Sequence, residues 1–331
     1  MPANLPPQYY ELEREFAKEK DPRERLRLAE ELLRIMPKHK GTDHLQADMK
    51  TKIAKLRKMV EAPRRVSGTR QVTAHDFVER EGAGQVILIG PPNTGKSSLV
   101  DVLTHAHPAV GDYPYTTREP LAGMMPFESI QIQLIDTPPI SSDHYENYLG
   151  NLIRNADLVL LVCDLTDAQL IENTDTVIRT LEEKHIVLQP KIDSAPEDPR
   201  FKYQKTIICA HKAFEDGSVE RLAALAARFG GFRIVPTSIL DDSSLDHLKR
   251  AIFEALEIMR VYTKQIGKEV DPNDPVVLPL GGTVEDAANV IHKDFGQKLK
   301  FAKVWGKGKF DGQRVKSDYV LTDGDIVEFH I

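Results

Sequence analysis

Along the chain the spacing of apolar residues changes character twice. From Tyr9 to Met36, Leu26, Leu28, Leu32, Leu33 and Ile35 sit among Arg and Glu in a helical pattern that Pro22 breaks or starts and Pro37 ends. Leu45, Met49, Ile53 and Leu56 predict a second helix over about Thr42 to Val60, with lysines and Arg57 on its other faces. The pair reads as a helical hairpin, and residues 62–70, APRRVSGTR, as its linker to the next unit. Beyond the linker, short apolar runs at Gln85–Ile89, Ile130–Ile135, Asp157–Val162, Thr206–Ala210 and Phe232–Val235 predict strands. They alternate with helical patterns near Ser97–Thr104, Asn147–Asn155, Thr174–Glu183, Ser218–Phe229 and Ser244–Tyr262. That alternation predicts an α/β unit, a mostly parallel sheet with helices on both faces. After a stretch rich in Pro, Gly and Asp, the tail predicts strands at Pro275–Leu280, Phe301–Trp305 and Ile326–Ile331 with a helix at Val284–Ile291, a small α+β module. The expected domains are therefore 1–70, 71–265 and 266–331.

Composition narrows the class. The 331 residues are 41% hydrophobic and 28% charged, as in an ordinary globular protein. No apolar run approaches the length that spans a bilayer, and the N-terminus lacks the apolar stretch of a secretory signal, so a cytoplasmic protein without a membrane partner is expected. The two cysteines, Cys163 and Cys209, lie inside apolar runs and read as buried free thiols. The net charge of −6 is uneven: residues 1–70 carry +6, 71–267 carry −10 and 268–331 carry −2. A basic segment on an acidic body hints at a polyanion such as RNA, with a solvated charged helix as the equal alternative.

The chemistry concentrates in GPPNTGKSS, Gly90 to Ser98, which follows the apolar QVILI and precedes the helical SLVDVLT. This is G-x-x-x-x-G-K-[ST] between a strand and a helix. Gly90 and Gly95 let the loop close around phosphate, and the amides of Asn93, Thr94, Gly95, Lys96, Ser97 and Ser98 face the anion. Lys96 adds a charge near the β and γ phosphates, and Ser97 offers a hydroxyl to Mg²⁺. Asp136 ends the run IQIQLI and is placed to hold the metal's water shell. Between them, Thr116 and Thr117 are the two candidates for a switch hydroxyl on Mg²⁺, with Thr117 preferred. The catalytic set is thus Lys96, Thr117 and Asp136.

These motifs resemble those of the Obg-superfamily GTPases, most closely the developmentally regulated GTP-binding proteins with their C-terminal TGS domain. Lys40 to Lys58 resembles the basic helical segment before that family's nucleotide domain. In the tail, Thr283, Val284, Ile291, His292, Trp305, Gly306, Leu321, Asp323, Asp325 and Val327 follow the order of a TGS module, which implies a β-grasp-like fold. The resemblance implies a slow GTPase that uses Mg²⁺, docks to ribosome or RNA according to its nucleotide, and leaves room for a protein activator. It also implies that Lys212, Ser238 and Ile239 hold the base, and that Asn93 matches an asparagine that in some relatives coordinates K⁺; a residue chosen for loop conformation is the equal alternative.

Three positions depart from the family. Pro139 replaces the glycine whose N–H meets the γ-phosphate, while Ile140, hydrophobic where Ras-like enzymes place a water-orienting glutamine, agrees with the resembling group. His211-Lys212-Ala213-Phe214 replaces Asn-Lys-x-Asp, removing the carboxylate that reads guanine and leaving guanine and adenine both open. Most of the family's insertion between Asp164 and Thr206 is missing, so the chain resembles a reduced, prokaryotic relative. Three readings compete: a GTPase, a P-loop ATPase or broad-specificity enzyme, and a nucleotide-binding module with little hydrolysis. Of the remaining features, His105 and His107 read as a surface turn and Trp305 as core. The stretch Lys298 to Lys316, with seven Lys/Arg against Asp311, suits RNA phosphate or a solvated face.

Overall fold

The structure, a computed structural model, describes residues 22–36, 78–104, 121–142, 145–292 and 295–330, with Leu12, Met49, Lys50 and Ile53. It divides into two compact units, 1–71 and 72–331. In the first, α1 (Pro22–Ile35) buries Leu28, Ala29 and Leu32, and Ala29 and Leu32 share a cluster with Met36, Met49 and Ile53. Helical residues at Met49, Lys50 and Ile53 fall within the expected second helix. The rest of that helix, the linker 62–70, His105, His107 and the switch candidates Thr116 and Thr117 lie outside the described residues.

The second unit opens on the sheet that the alternating pattern predicts. Strand β1 (Gln85–Ile89) lies at its centre, between β3 (Ile130–Asp136) and β4 (Leu158–Asp164), both parallel to it. Then come β6 (Lys202–His211), parallel to β4, and β5 (Ile186–Gln189) and β7 (Arg233–Thr237), parallel to β6. Consecutive residues of β1 point to opposite faces. Val86 and Leu88 pack in a core with α2 (Lys96–Thr104) and α6 (Asp242–Leu256). Ile87 and Ile89 pack with α3 (Leu149–Asn155), α4 (Leu170–Glu183) and α5 (Ser218–Phe229). Both faces are covered, which is why β1 and β4 read as continuous apolar runs. Only α4 and the four-residue β5 occupy the span where the resembling family carries its insertion.

Two elements differ from expectation. An additional edge strand, β2 (Leu121–Phe127), runs antiparallel to β3. Gly123 and Pro126 mask it in the sequence, and an edge is where a strand tolerates proline. The helix expected through Tyr262 stops at Leu256: Glu257 takes a left-handed cap with φ +53°, and Ile258 immediately begins β8 (Ile258–Thr263). Leu245, Leu248, Ile252, Leu256 and Met259 keep helical spacing across the junction, so periodicity hides the break.

Strand β8 belongs to the second sheet, which therefore starts ahead of the expected boundary at 266. Its order is β11 (Gln313–Val315), β10 (Phe301–Trp305), β12 (Asp325–His330), β8 and β9 (Val276–Pro279). Helix α7 (Val284–Ile291), closed by a capping box between Thr283 and Asp286, contributes Val284 and Ala287 to a core with Val304 and Val327. A short helix, α8 (Phe295–Lys298), follows. The outer face carries Phe301, Lys303, Trp305, Arg314 and His330. Trp305 sits outside the core with the Lys264 ammonium 4.7 Å from its ring centre, contrary to expectation. Arg260 on β8 joins the two sheets: it chelates Asp323, pairs with Glu128 of the β2–β3 turn and lies 5.0 Å from the Phe253 ring centre. Nearby, the hydroxyls of Tyr262 and Ser129 are 2.8 Å apart.

Candidate functional site

Strand order reverses at β1, and the loop leaving it opens into the crevice at the C-terminal ends of the strands, where such sheets bind ligands. The predicted loop glycines meet steric demands. Gly90 has φ +154°, and a Cβ there would lie 2.4 Å from the Val162 carbonyl oxygen. Gly95 has φ +87°, and its Cβ would lie 2.6 Å from His211 Cε1. Asn93 is exposed in a left-handed conformation, φ +62°, which asparagine tolerates. Ser98 is exposed on the first turn of α2.

Lys96 is buried, and its Nζ donates to the carbonyls of Pro91 (2.9 Å) and Gly90 (3.3 Å). Burial lowers its pKa to about 8, against the attraction of Asp136. The Ser97 hydroxyl donates to Asp136 Oδ2 at 2.6 Å, joining the start of α2 to the end of β3. Asp136 Oδ1 is buried without a hydrogen-bond partner. Burial raises the pKa of this carboxyl despite Ser97 and Lys96. A hydroxyl beside a carboxylate oxygen lacking a donor is the donor chemistry of a hard cation such as Mg²⁺. Among the described residues no three His, Cys, Asp or Glu side chains gather to hold a metal, so the fit is to an ion carried largely by phosphate and water.

After Asp136, the chain is fastened to the loop. Thr137 donates its hydroxyl to the Leu88 carbonyl at 2.6 Å, and the Ile140 N–H donates to Gly90 O at 3.0 Å. The Ile140 side chain is sealed in the core, so it faces no attacking water.

At the end of β6, Lys212 adopts φ +59° and donates to Asp164 Oδ2 at 2.5 Å. Asp164 also accepts from the Thr166 N–H and hydroxyl; these bonds hold its pKa below the usual value although burial acts to raise it. The Ser238 N–H is committed to Ser244 Oγ at 3.0 Å, so of the two predicted base-side donors in this turn, Ser238 is already spent and Ile239 follows it. Phe214, where a base-reading carboxylate was sought, is 68% exposed. The structure thus brings Gly90, Thr94, Gly95, Lys96, Ser97 and Asp136 together and places Lys212, Ser238 and Ile239 at the ends of the neighbouring strands. Sequence reasoning missed the link between the groups: His211 Nδ1 lies 2.9 Å from the Thr94 carbonyl oxygen. Its signal was there, a histidine opening the base motif.

Comparison with known proteins agrees with this arrangement. The family model for 50S ribosome-binding GTPases matches residues 85–191, and that for the TGS domain matches 259–331. An uncharacterized GTP-binding protein of Methanocaldococcus jannaschii is 27% identical over 370 residues, covering 92% of this chain and 91% of its own. GTP-binding protein 1 of Schizosaccharomyces pombe is 26% identical, covering 92% and 98%. The developmentally regulated GTP-binding protein 2 homolog of Dictyostelium discoideum is 26% identical, covering 88% and 94%. Among solved structures, the YchF GTPase of S. pombe shares the fold with a TM-score of 0.54 at 13% identity, covering 77% of this chain and 99% of its own. A phosphate loop over a Ser97–Asp136 pair, followed by a TGS sheet, gives the chain a GTPase domain and a TGS domain, and over most of its length it is similar to the developmentally regulated GTP-binding proteins.

Proposed function

We propose that the chain is a Mg²⁺-dependent GTPase of slow intrinsic rate whose nucleotide state governs docking to ribosome or RNA. The observation that carries the reading is the Ser97–Asp136 bond with Asp136 Oδ1 left partnerless beside Lys96. Bound Mg²⁺ would neutralise and orient the β and γ phosphates. Ser97, Asp136 and a switch threonine, Thr117 or Thr116, would hold it. Lys96 remains largely cationic at neutral pH, since its pKa stands near 8, and on nucleotide binding exchanges the carbonyls of Gly90 and Pro91 for phosphate oxygens. Lys212, released from Asp164, lies over the base.

Slow hydrolysis follows from Ile140, whose burial leaves the attacking water without a side chain to orient it here. The same feature supports the second reading, a nucleotide-binding module that turns over only with a protein activator. Phosphate release with and without ribosomes separates the two. Replacing Lys96 or Ser97 by alanine is expected to abolish hydrolysis, and undiminished turnover would refute the site. Competition of GTP and ATP for one labelled analogue decides the base, which Phe214 leaves unread.

Two features support an RNA-bearing partner: residues 1–70 at +6, and the cations and rings on the outer face of the second sheet, where Glu328 pairs with Lys303 and His330. There the Arg314 guanidinium stands 3.8 Å from the Phe301 ring centre, and His330 stacks on the same ring with 4.3 Å between centres. The Lys309 ammonium is spent on buried Asp325, and Lys303 and His330 lie 3.5 and 2.8 Å from the Glu328 carboxylate. Ribosome pelleting with the R314A/K303A double variant, in GDP and in a non-hydrolysable GTP analogue, tests the docking. Equal pelleting by wild type and variant in both states would remove this face from the reading.

A further inference from the structure

The ring of His211 reaches from the end of β6 to the phosphate loop, with Nδ1 2.9 Å from Thr94 O and Cε1 against Gly95. A carbonyl only accepts, so Nδ1 carries the proton. In the neutral ring Nε2 is then a bare acceptor, and it is buried with no hydrogen-bond partner. The charged groups around the ring come from three elements. Strand β4 presents Asp164 directly across the register, Lys212 follows the end of β6, and these two pair with each other. The loop contributes Lys96, held on its own carbonyls, while β7 sets the uncharged Thr237 opposite. Burial, aided by Lys212, keeps the imidazole pKa below its ordinary value against the Thr94 bond and Asp164.

A polyphosphate on this loop changes that balance. Its negative charges would lie across the thickness of one peptide from the ring, and nearby opposite charge favours the imidazolium. We propose that His211 is a positioning residue for the phosphate loop, holding Thr94 through Nδ1–H, and that binding of a nucleoside polyphosphate draws one proton onto Nε2. The inference rests on the nucleotide reading above and adds a proton to it. Asparagine at 211 supplies the same donor to Thr94 but does not titrate, so the histidine makes binding proton-linked where the resembling motif would not.

Calorimetric titration with GDP between pH 6 and pH 8, on wild type, H211N and H211A, tests this. Ionisation of GDP itself and of Lys96 is common to all three and cancels in the ratio of affinities. The wild-type affinity relative to H211N is expected to rise about threefold or more from pH 8 to pH 6, one unit of pKa shift reaching its full tenfold effect only once the pH lies below both the free and the bound values. Proton uptake, read from buffers of different ionisation enthalpy, is expected in wild type and absent in H211N. A flat ratio without extra uptake overturns the proton link while leaving nucleotide binding intact. H211A binding as tightly as H211N, with an unchanged circular dichroism spectrum, overturns the tie to Thr94. Failure of all three folded proteins to bind GDP overturns the nucleotide site itself.

Discussion

At the scale of single residues, the site stores unfavourable contacts that only a ligand relieves. Lys96 is the clearest. A lysine whose folded pKa falls from 10.5 to about 8 binds fewer protons than in the unfolded chain between those values, so folding stability rises with pH through that window and the cost is fully present below it. Replacing Lys96 by methionine is therefore expected to stabilise the nucleotide-free protein by about 1–3 kcal/mol at pH 7, an advantage that shrinks towards pH 10, while GDP binding is lost. Urea titrations at the two pH values read this out. Gly95→Ala is expected to lose GDP affinity by a factor of at least about ten, because φ +87° strains an L-residue and the new methyl meets the His211 ring. Equilibrium titration checks it. The thiols behave oppositely: burial pushes Cys163 and Cys209 up to about 12, so neither is expected to react with a thiol reagent at pH 8 until the protein unfolds.

Among the elements, the contacts that matter join segments distant in sequence. Arg260→Ala is expected to cost about 2–3 kcal/mol, since it removes charge-assisted bonds to Asp323 and Glu128 and the cover over Phe253. Tyr262→Phe, which removes only the bond to Ser129, is expected to cost about 1 kcal/mol in the same denaturation experiment. This scale also shows what a sequence reveals. Strands β1, β4 and β6 were legible because they are buried on both faces and bounded by polar turns. The phosphate loop was legible because its chemistry demands a fixed spacing. Strand β2 was not, since an edge accepts Gly123 and Pro126 and gives no alternation. The break after Leu256 was not, because Met259 stays in helical phase. The His211–Thr94 tie was invisible for another reason: it depends on which strand ends lie side by side, and only the sheet order fixes that.

For the molecule as a whole, the two sheets belong to one compact unit, 72–331. A chain ending at residue 265 would keep β8 without β9 and β12, exposing Met259 and Val261, both now fully buried. Such a fragment is expected to aggregate, and one ending at Glu257 to stay monomeric, as size-exclusion chromatography would show.

Glu257 is the sole residue between the last helix over the nucleotide sheet and the first strand of the tail; its carbonyl accepts the Leu280 N–H and its carboxylate grips Lys205. With no slack at that joint, the tail has no tether on which to swing. Its side-chain ties to Glu128 and Ser129 hold the turn between β2 and β3, whose far ends lead to the threonines and the aspartate expected to hold the metal.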